Sequence, residues 1–282
     1  MAKIVVAEIV MARLRSTADG PTSPPLLFMA TRKLTSLFLL TASFFLASPD
    51  APAFVLIPIT MDFDPAGRGT HRTFRVENES DTPVAVQISM VTRKMDIDGK
   101  ETLENADEDF AVYPPQIALG PKQNQSIRVA WTGKVKPAAE LNYRIVAEQL
   151  PVALVKEQSK GAKINLLLRY LGTVYIVPKG AKPDIVLESA AQGTDAAGRK
   201  QLVVFLHNRG TAHAVIRSAK MKLTAAAKEG GPETKIELGP EDLKGMIGEN
   251  VLAGNKRRFI FPWPESLGDG PLEAQFEFIA QR

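Results

Sequence analysis

The sequence predicts an all-β protein made of two immunoglobulin-like β-sandwich domains in series. Short runs of alternating apolar and polar residues recur between turn residues, which is typical of strands. Only one short stretch, 240–246, keeps the period of a helix. A segment rich in proline, glycine and lysine at 178–183 separates two strand-rich regions, each close in size to one immunoglobulin-like sandwich of about 100 residues.

The first 53 residues are predicted to be a signal peptide preceded by an extension. Arg32 and Lys33 form a charged start, 34–47 is an apolar run, and the small residues ending at Ala53 fit a signal-peptidase site. The run is too short to span a membrane. Residues 1–28 are predicted to be a mis-assigned start, and a genuine amphipathic N-terminal segment is the alternative. The mature chain would then be exported and would begin just after Ala53.

The composition narrows the classes of protein that the mature chain can represent. The chain has no cysteine, which excludes a disulfide framework and a thiolate metal site. Its formal charge of +4 gives no indication of nucleic-acid binding. No second long apolar run follows the signal region, so no membrane span is predicted.

The predicted elements follow one another at the spacing of a sandwich. In the first domain, 54–178, Pro58 interrupts the first strand, which suits a sheet edge, and Asp98-Gly99 predicts a hairpin turn. The second domain, 179–282, contains five further strand patterns. The predicted strands lie at 54–63, 70–78, 83–95, 110–121, 125–133, 140–151, 164–178, 183–190, 200–208, 214–225, 256–264 and 272–280.

The strand that begins at Ile164 is the most informative segment. Ile164, Leu166 and Leu168 share one face, because strand side chains alternate at period two. The preceding loop is basic and hydrophilic, which is compatible with a strand at a sheet edge. An exposed apolar edge is a hazard unless another strand pairs with it. On the residue pattern alone, an internal core strand is the favoured alternative.

Five segments in a fixed order give the sequence a family resemblance. They are PITMDF, FRVEN with its proline turn, YPPQIALGPKQNQSIRVAW, Glu140 with NYRIVAEQLP, and the strand ending in VYIVP. Together they resemble the PapD-like periplasmic pilus-assembly chaperones of the chaperone–usher pathway. The resemblance implies two domains around a cleft, pilin or fimbrial subunits and an outer-membrane usher as partners, the periplasm of a Gram-negative bacterium, no cofactor and no enzymatic activity. It leaves open a self-capping dimer of the free chaperone.

In that family the chaperone lends one strand to an incomplete pilin fold, so the resemblance implies that Ile164, Leu166 and Leu168 enter the pilin groove. Leu167 would then face the core of the chaperone itself. Main-chain hydrogen bonds would supply general affinity, and the alternate side chains would set the register.

The sequence departs from the family at two sites, which suggests a divergent branch. The positions of the two basic residues that anchor the pilin carboxylate carry Thr60 and Thr173, and Arg169 and Arg144 are the nearest basic alternatives. The family's interdomain arginine is replaced by Val177, although its acidic partner remains as Glu140.

Other kinds of site find weaker support in the sequence. Asp96-Ile97-Asp98-Gly99 resembles part of a calcium loop but lacks the closing glutamate. His207 and His213 flank one turn, yet nothing marks the third ligand that a metal would need. No nucleophile elbow or phosphate loop is present, which disfavours an exported hydrolase. The remaining alternative is an exported two-domain immunoglobulin-like structural or adhesion module.

Overall fold

The structure is a computed structural model that describes residues 54–152, 167–225, 232–268 and 270–282. Within these ranges the chain forms strands joined by turns and short 3-10 helices, without an α-helix. The prediction of an all-β fold with two sandwich domains is therefore confirmed. The helical candidate at 240–246 is a turn that ends in the 3-10 helix Lys244–Met246.

The first domain is a sandwich of two sheets. One sheet has the strand order β1-β3-β8-β6. The other has the order β2-β10-β9-β4, and β5 and β7 pair with different halves of the outer edge of β4. The strands are β1 (Phe54–Ile57), β2 (Thr60–Phe63), β3 (His71–Asn78), β4 (Val84–Met95), β5 (Glu101–Asn105), β6 (Phe110–Tyr113), β7 (Gln116–Leu119), β8 (Asn124–Trp131), β9 (Leu141–Gln149) and β10 (Arg169–Ile176).

The first strand pattern changes sheets where Pro58 interrupts it. Before the proline, β1 pairs antiparallel with β3 in one sheet. After it, β2 pairs parallel with β10 in the other sheet. Proline lacks the N–H that a ladder requires, so the break between the two pairings falls where no hydrogen bond is lost.

The core of the first domain lies between its two sheets. Alternate residues of each strand point inward, for example Phe74 and Val76 on β3 and Ile127 and Val129 on β8. An aromatic cluster of Phe110, Trp131 and Tyr143 fills one end, with ring centroids 5.0–5.6 Å apart. Edge-to-face and tilted contacts of this kind are favourable for aromatic rings.

The second domain has its own two sheets and its own core. One sheet has the order β11-β12-β16. In the other, β17 pairs with one side of β13, and β14 and β15 pair with the opposite side. The core includes the buried residues Leu206, Ile216 and Met221. The strands are β11 (Ile185–Thr194), β12 (Lys200–Asn208), β13 (Ala214–Ala225), β14 (Thr234–Leu238), β15 (Asn250–Val251), β16 (Lys256–Pro262) and β17 (Leu272–Gln281).

Candidate functional site

One side of β10 is only partly paired. Its antiparallel partner is β9, and β2 joins the opposite side only from Thr173 onward. The backbone N–H of Gln149 donates to the carbonyl oxygen of Leu168 (2.9 Å), and alternate residues of an antiparallel strand point their backbone groups to opposite sides. The backbone groups of Arg169 and Leu171 therefore point away from β9. No strand of the described residues pairs with them, so this segment is an open sheet edge.

The structure corrects the expected orientation of Leu167 and Leu168. Leu168 is half-buried and packs against the core of the first domain, whereas Leu167 is 46% exposed. The reason is the phase of β10. Val174 and Ile176 are fully buried, and the same face continues inward through Tyr170. The expectation that Leu167 faces the core was therefore wrong.

The other two proposed donor residues, Ile164 and Leu166, lie outside the described residues. Their role in pilin binding stays a prediction, as does that of Leu168.

Thr60, Thr173 and Arg144 lie side by side on three neighbouring strands. Thr173 of β10 is in register with Thr60 of β2 on one side and with Arg144 of β9 on the other. The Nη1 of Arg144 donates to the hydroxyl oxygen of Thr173. Thr60 is exposed and Thr173 is half-buried, whereas only 12% of the Arg144 side chain is exposed.

Glu101 on β5 holds this arginine from its other side. Its carboxylate accepts hydrogen bonds from Nε (3.0 Å) and Nη2 (2.6 Å) of Arg144. It also accepts from Nε of Arg93 (2.8 Å), and Nη2 of Arg93 lies 2.7 Å away. Burial alone would raise the pKa of Glu101, but the hydrogen bond from Arg144 and the charges of both arginines outweigh it and hold the pKa below its usual range. Glu101 is therefore ionised at neutral pH.

Arg169 lies apart from this cluster. It is exposed and in register with Glu148 of β9. It shares a face with Thr173 but precedes it by four residues, which is about 13 Å along a strand. Of the predicted anchor residues, the structure thus brings together Thr60, Thr173 and Arg144, and it leaves Arg169 near the open edge.

Glu140 connects the first domain to the second. Its side chain is fully buried, and its Oε1 lies 2.7 Å from Nδ1 of His213 and accepts the backbone N–H of the same residue (3.2 Å). Nη1 of Arg282 lies 3.8 Å from the other carboxylate oxygen. Glu140 therefore has two partners in the second domain, His213 and Arg282.

His213 does not form a pair with His207 across the turn between them. His207 lies on β12 and is in register with Lys256, whereas His213 faces Glu140 across the domain junction. Sequence reasoning missed the role of His213 because the two partners are 73 positions apart. The one available signal was the retained acidic residue, which needs a partner once the usual arginine is absent.

Tyr175 links the anchor cluster to the domain junction. Its ring stacks on the His213 ring at a centroid distance of 3.7 Å and an angle of 9°. Its hydroxyl oxygen accepts from Nδ2 of Asn250 in the second domain (2.7 Å) and from Nη1 of Arg93 (3.2 Å). Burial raises the pKa of Tyr175.

The β4–β5 hairpin makes a second contact between the domains. Arg258 forms a two-pronged ion pair with Asp98 (2.8 and 2.7 Å), and its backbone N–H donates to the carbonyl oxygen of Ile97 (2.7 Å). A Cβ at Gly99, where φ is +86°, would lie 2.3 Å from the guanidinium of Arg257. The predicted Asp98-Gly99 turn is thus confirmed. Asp98 pairs with a residue of the second domain.

The described residues give no support to a metal site or a membrane span. None of their His, Asp and Glu side chains form a group of three or more that could hold a metal ion. Asp96 instead uses its Oδ1 to accept the backbone N–H groups of Asp98 and Lys100 (both 2.9 Å). No helix in the described ranges is long and apolar enough to cross a membrane.

Comparison with known proteins supports the family resemblance in the first domain. Residues 65–182 match the family model described as pili and flagellar-assembly chaperone, PapD N-terminal domain. The first domain therefore matches the PapD N-terminal domain over most of its length, and the resemblance drawn from the sequence is confirmed. A comparison with curated protein sequences found no match.

Several solved structures of chaperones are similar to this chain. One is the CsuC–CsuE chaperone–tip adhesion subunit pre-assembly complex from archaic chaperone–usher Csu pili of Acinetobacter baumannii. It matches with a TM-score of 0.51 and 15% identity over 81% of this chain and 97% of that chain. The class 5 fimbriae chaperone CfaA matches with a TM-score of 0.47 and 16% identity over 80% and 99% of the two chains. The Salmonella enterica SafA pilin in complex with the SafB chaperone gives 0.46 and 16% over 80% and 96%.

Proposed function

We propose that this protein is a periplasmic chaperone that binds pilin subunits by donor-strand complementation and delivers them to an outer-membrane usher. The observation that carries the proposal is the open edge of β10, where the backbone groups of Arg169 and Leu171 lack a strand partner among the described residues. An extended segment of another protein can add to such an edge through main-chain hydrogen bonds. Leu167, at the start of this edge, is exposed.

Ile164 and Leu166 are the main donor-strand residues in this proposal. Burying one such side chain in a partner's groove stabilises the complex by about 1.5–3 kcal/mol. Leu168 contributes less than they do, because it already packs in part against the core of the chaperone.

The carboxylate anchor of the pilin is Arg144, assisted by Thr173 and Thr60. An arginine forms charge-assisted hydrogen bonds to a carboxylate, and these are about twice as strong as neutral ones. Arg144 is adjacent in register to Thr173, the position that the family resemblance assigns to an anchor residue. Arg169 is the alternative anchor, and its distance from the threonines disfavours it.

The location and class of the protein follow from the same proposal. Cleavage near Ala53 would release the mature chain into the periplasm of a Gram-negative bacterium. The protein would need no cofactor, would catalyse no reaction, and would not bind nucleic acid. The chaperone with the same fold in the Csu complex is joined to a tip adhesion subunit, which supports a pilus subunit as the partner here.

Co-expression with a pilin subunit tests the anchor. Arg144→Ala should reduce the amount of pilin that co-purifies by at least tenfold, because a charge-assisted hydrogen bond to a buried carboxylate contributes about 1.5–3 kcal/mol. Arg169→Ala, which removes the same charge from the same face, is the matched control and should retain pilin. The reverse result would make Arg169 the anchor.

A second pair of variants tests the donated strand. Leu166→Asp should abolish pilin capture because an unpaired carboxylate cannot be buried in an apolar groove. Leu167→Asp should leave folding intact, since Leu167 is exposed. A Leu166→Asp protein that unfolds, or that still carries pilin, would instead favour an internal strand and the exported adhesion or structural module.

A further inference from the structure

Two arginines of the first domain share a single carboxylate. Arg93 and Arg144 both donate to Glu101, through Nε in each case and through Nη2 of Arg144. The three side chains are largely withdrawn from solvent, with 6% of Arg93, 12% of Arg144 and 22% of Glu101 exposed. The cluster therefore carries a net charge of +1 in an environment where charges interact more strongly than in water.

Glu101 occupies the part of Arg144 that best binds a carboxylate. A guanidinium group binds a carboxylate most strongly by donating two parallel N–H hydrogen bonds. In Arg144 these two donors are Nε and Nη2, and both already donate to Glu101. The remaining Nη1 reaches the hydroxyl oxygen of Thr173. A carboxylate that approaches Arg144 therefore finds its Nε and Nη2 groups already bound to Glu101.

We propose that Glu101 is a specificity-determining residue that competes with the ligand for Arg144, so that the anchor accepts one terminal carboxylate and rejects a peptide with a second acidic group beside it. This inference rests on the proposed function of Arg144. One ligand carboxylate brings the charge of the cluster from +1 to zero. A second acidic group would leave an excess negative charge next to Glu101, where like charges repel.

The competition also explains how the free protein keeps a cationic anchor beside Thr173. Without Glu101, Arg93 and Arg144 would repel each other on neighbouring parts of the sheet. With Glu101 present, both arginines have an ionic partner until a ligand carboxylate binds Arg144. A ligand that displaces Glu101 from Arg144 leaves the carboxylate bound to Arg93, so Glu101 is not left unpaired.

Binding of a synthetic peptide pair to the full chain tests the proposal. The probe is a short peptide of alternating valine and threonine residues, made with either a free C-terminal carboxylate or a C-terminal amide and titrated calorimetrically. Glu101→Gln should tighten binding of the free acid about tenfold and leave the amide unchanged, because one charge-assisted competitor is removed. Glu104→Gln is the matched control, since Glu104 lies on the same strand but pairs with the exposed Lys94.

A third peptide tests the specificity. Placing aspartate beside the free carboxylate should weaken binding to the unaltered protein, and Glu101→Gln should remove most of that penalty. Glu101→Asp keeps the charge but shortens the side chain that reaches Arg144, so it should give part of the gain and serves if the glutamine variant fails to fold.

The outcomes distinguish failure of Arg144 as the anchor from failure of Glu101 as its competitor. Equal affinity of the unaltered protein for the acid and the amide would contradict the anchor itself. A preference for the acid that Glu101→Gln and Glu101→Asp leave unchanged or weaken would overturn the inference, because Glu101 would then support Arg144 and not compete for it.

Discussion

Each domain has an asparagine at the end of one strand, and its side chain forms hydrogen bonds to the turn that follows. We call these two turns the corners. Asn78 ends β3 in the first domain, and its Nδ2 donates to the carbonyl oxygens of Thr82 (2.8 Å) and Gly120 (2.9 Å). Asn208 ends β12 in the second domain, and its Nδ2 donates to the carbonyl oxygens of Ala212 (2.8 Å) and Val251 (2.9 Å). In each case the first acceptor is four residues further along the chain.

The domains differ in what they place on the sheet face that borders the junction. The first domain carries the buried Arg93 and Glu140 and the half-buried Arg144 there. The second domain supplies single partners, such as His213 and Asn250, to groups of the first. The common scaffold therefore gives the fold, whereas the polar residues of the first domain give the candidate site. This separation of scaffold and site is general among proteins that share a fold.

Removing the corner asparagines should give the largest effects and should show whether the two corners are equivalent. Asn78→Ala and Asn208→Ala each leave several buried backbone groups unpaired, so each should lower the free energy of unfolding of its own domain by about 3 kcal/mol. The chain has one tryptophan in each domain, Trp131 and Trp263, so urea unfolding of single-tryptophan variants reports each domain separately.

The exposed Asn124, for which the structure gives no side-chain hydrogen bond, provides the control. Asn124→Ala should change the free energy of unfolding by less than about 0.5 kcal/mol. A loss at Asn78 or Asn208 no larger than this would mean that water replaces the side chain at the corner.

The fold could be predicted from the sequence better than the candidate site, because the two depend on contacts between residues at different separations along the chain. Period-two alternation and turn residues such as Asp98-Gly99 are local, so strands and hairpins could be read directly. The contact of Glu101 with Arg144 joins residues 43 positions apart, and alternation alone cannot reveal it. The phase of Leu167 and Leu168 was wrong because three consecutive leucines offer no polar residue to mark the exposed face.

Removing the Glu140 side chain from the contact between the domains should make the two domains unfold more independently. Glu140→Ala leaves the backbone and ring N–H groups of His213 without their buried acceptor, so the contact between the domains should weaken by about 2 kcal/mol. We expect the tryptophan transitions of the two domains to separate in urea. Glu148→Ala on the same strand is the control because Glu148 is exposed. Coincident and unshifted transitions in Glu140→Ala would mean that other contacts, such as Asp98 with Arg258, suffice.

Acid should weaken the first domain through Glu101. Its pKa is lower in the folded protein than the ordinary value of 4.5, so its stabilising contribution is present above that pH and is lost as the pH falls through the folded pKa. We expect Glu101→Gln to cost roughly 1 kcal/mol at neutral pH and nothing in strong acid, as measured by urea unfolding across that range. A constant difference at every pH would assign the effect to shape and not to charge.

High pH should destabilise the first domain before the second, because all four tyrosines lie in the first domain. This is the smallest of the expected effects. Burial first, and then the hydrogen bond and charge of Asp109, raise the pKa of Tyr143 above its ordinary value of 10.0. The folded state thus favours the neutral phenol. This contribution is present below pH 10 and is lost as the pH rises toward the folded pKa, at a rate of at most about 1.4 kcal/mol per pH unit. Tyr143→Phe should flatten that decline. Phenolate absorbance and Trp131 fluorescence should change before Trp263 fluorescence, and an earlier change at Trp263 would contradict the assignment.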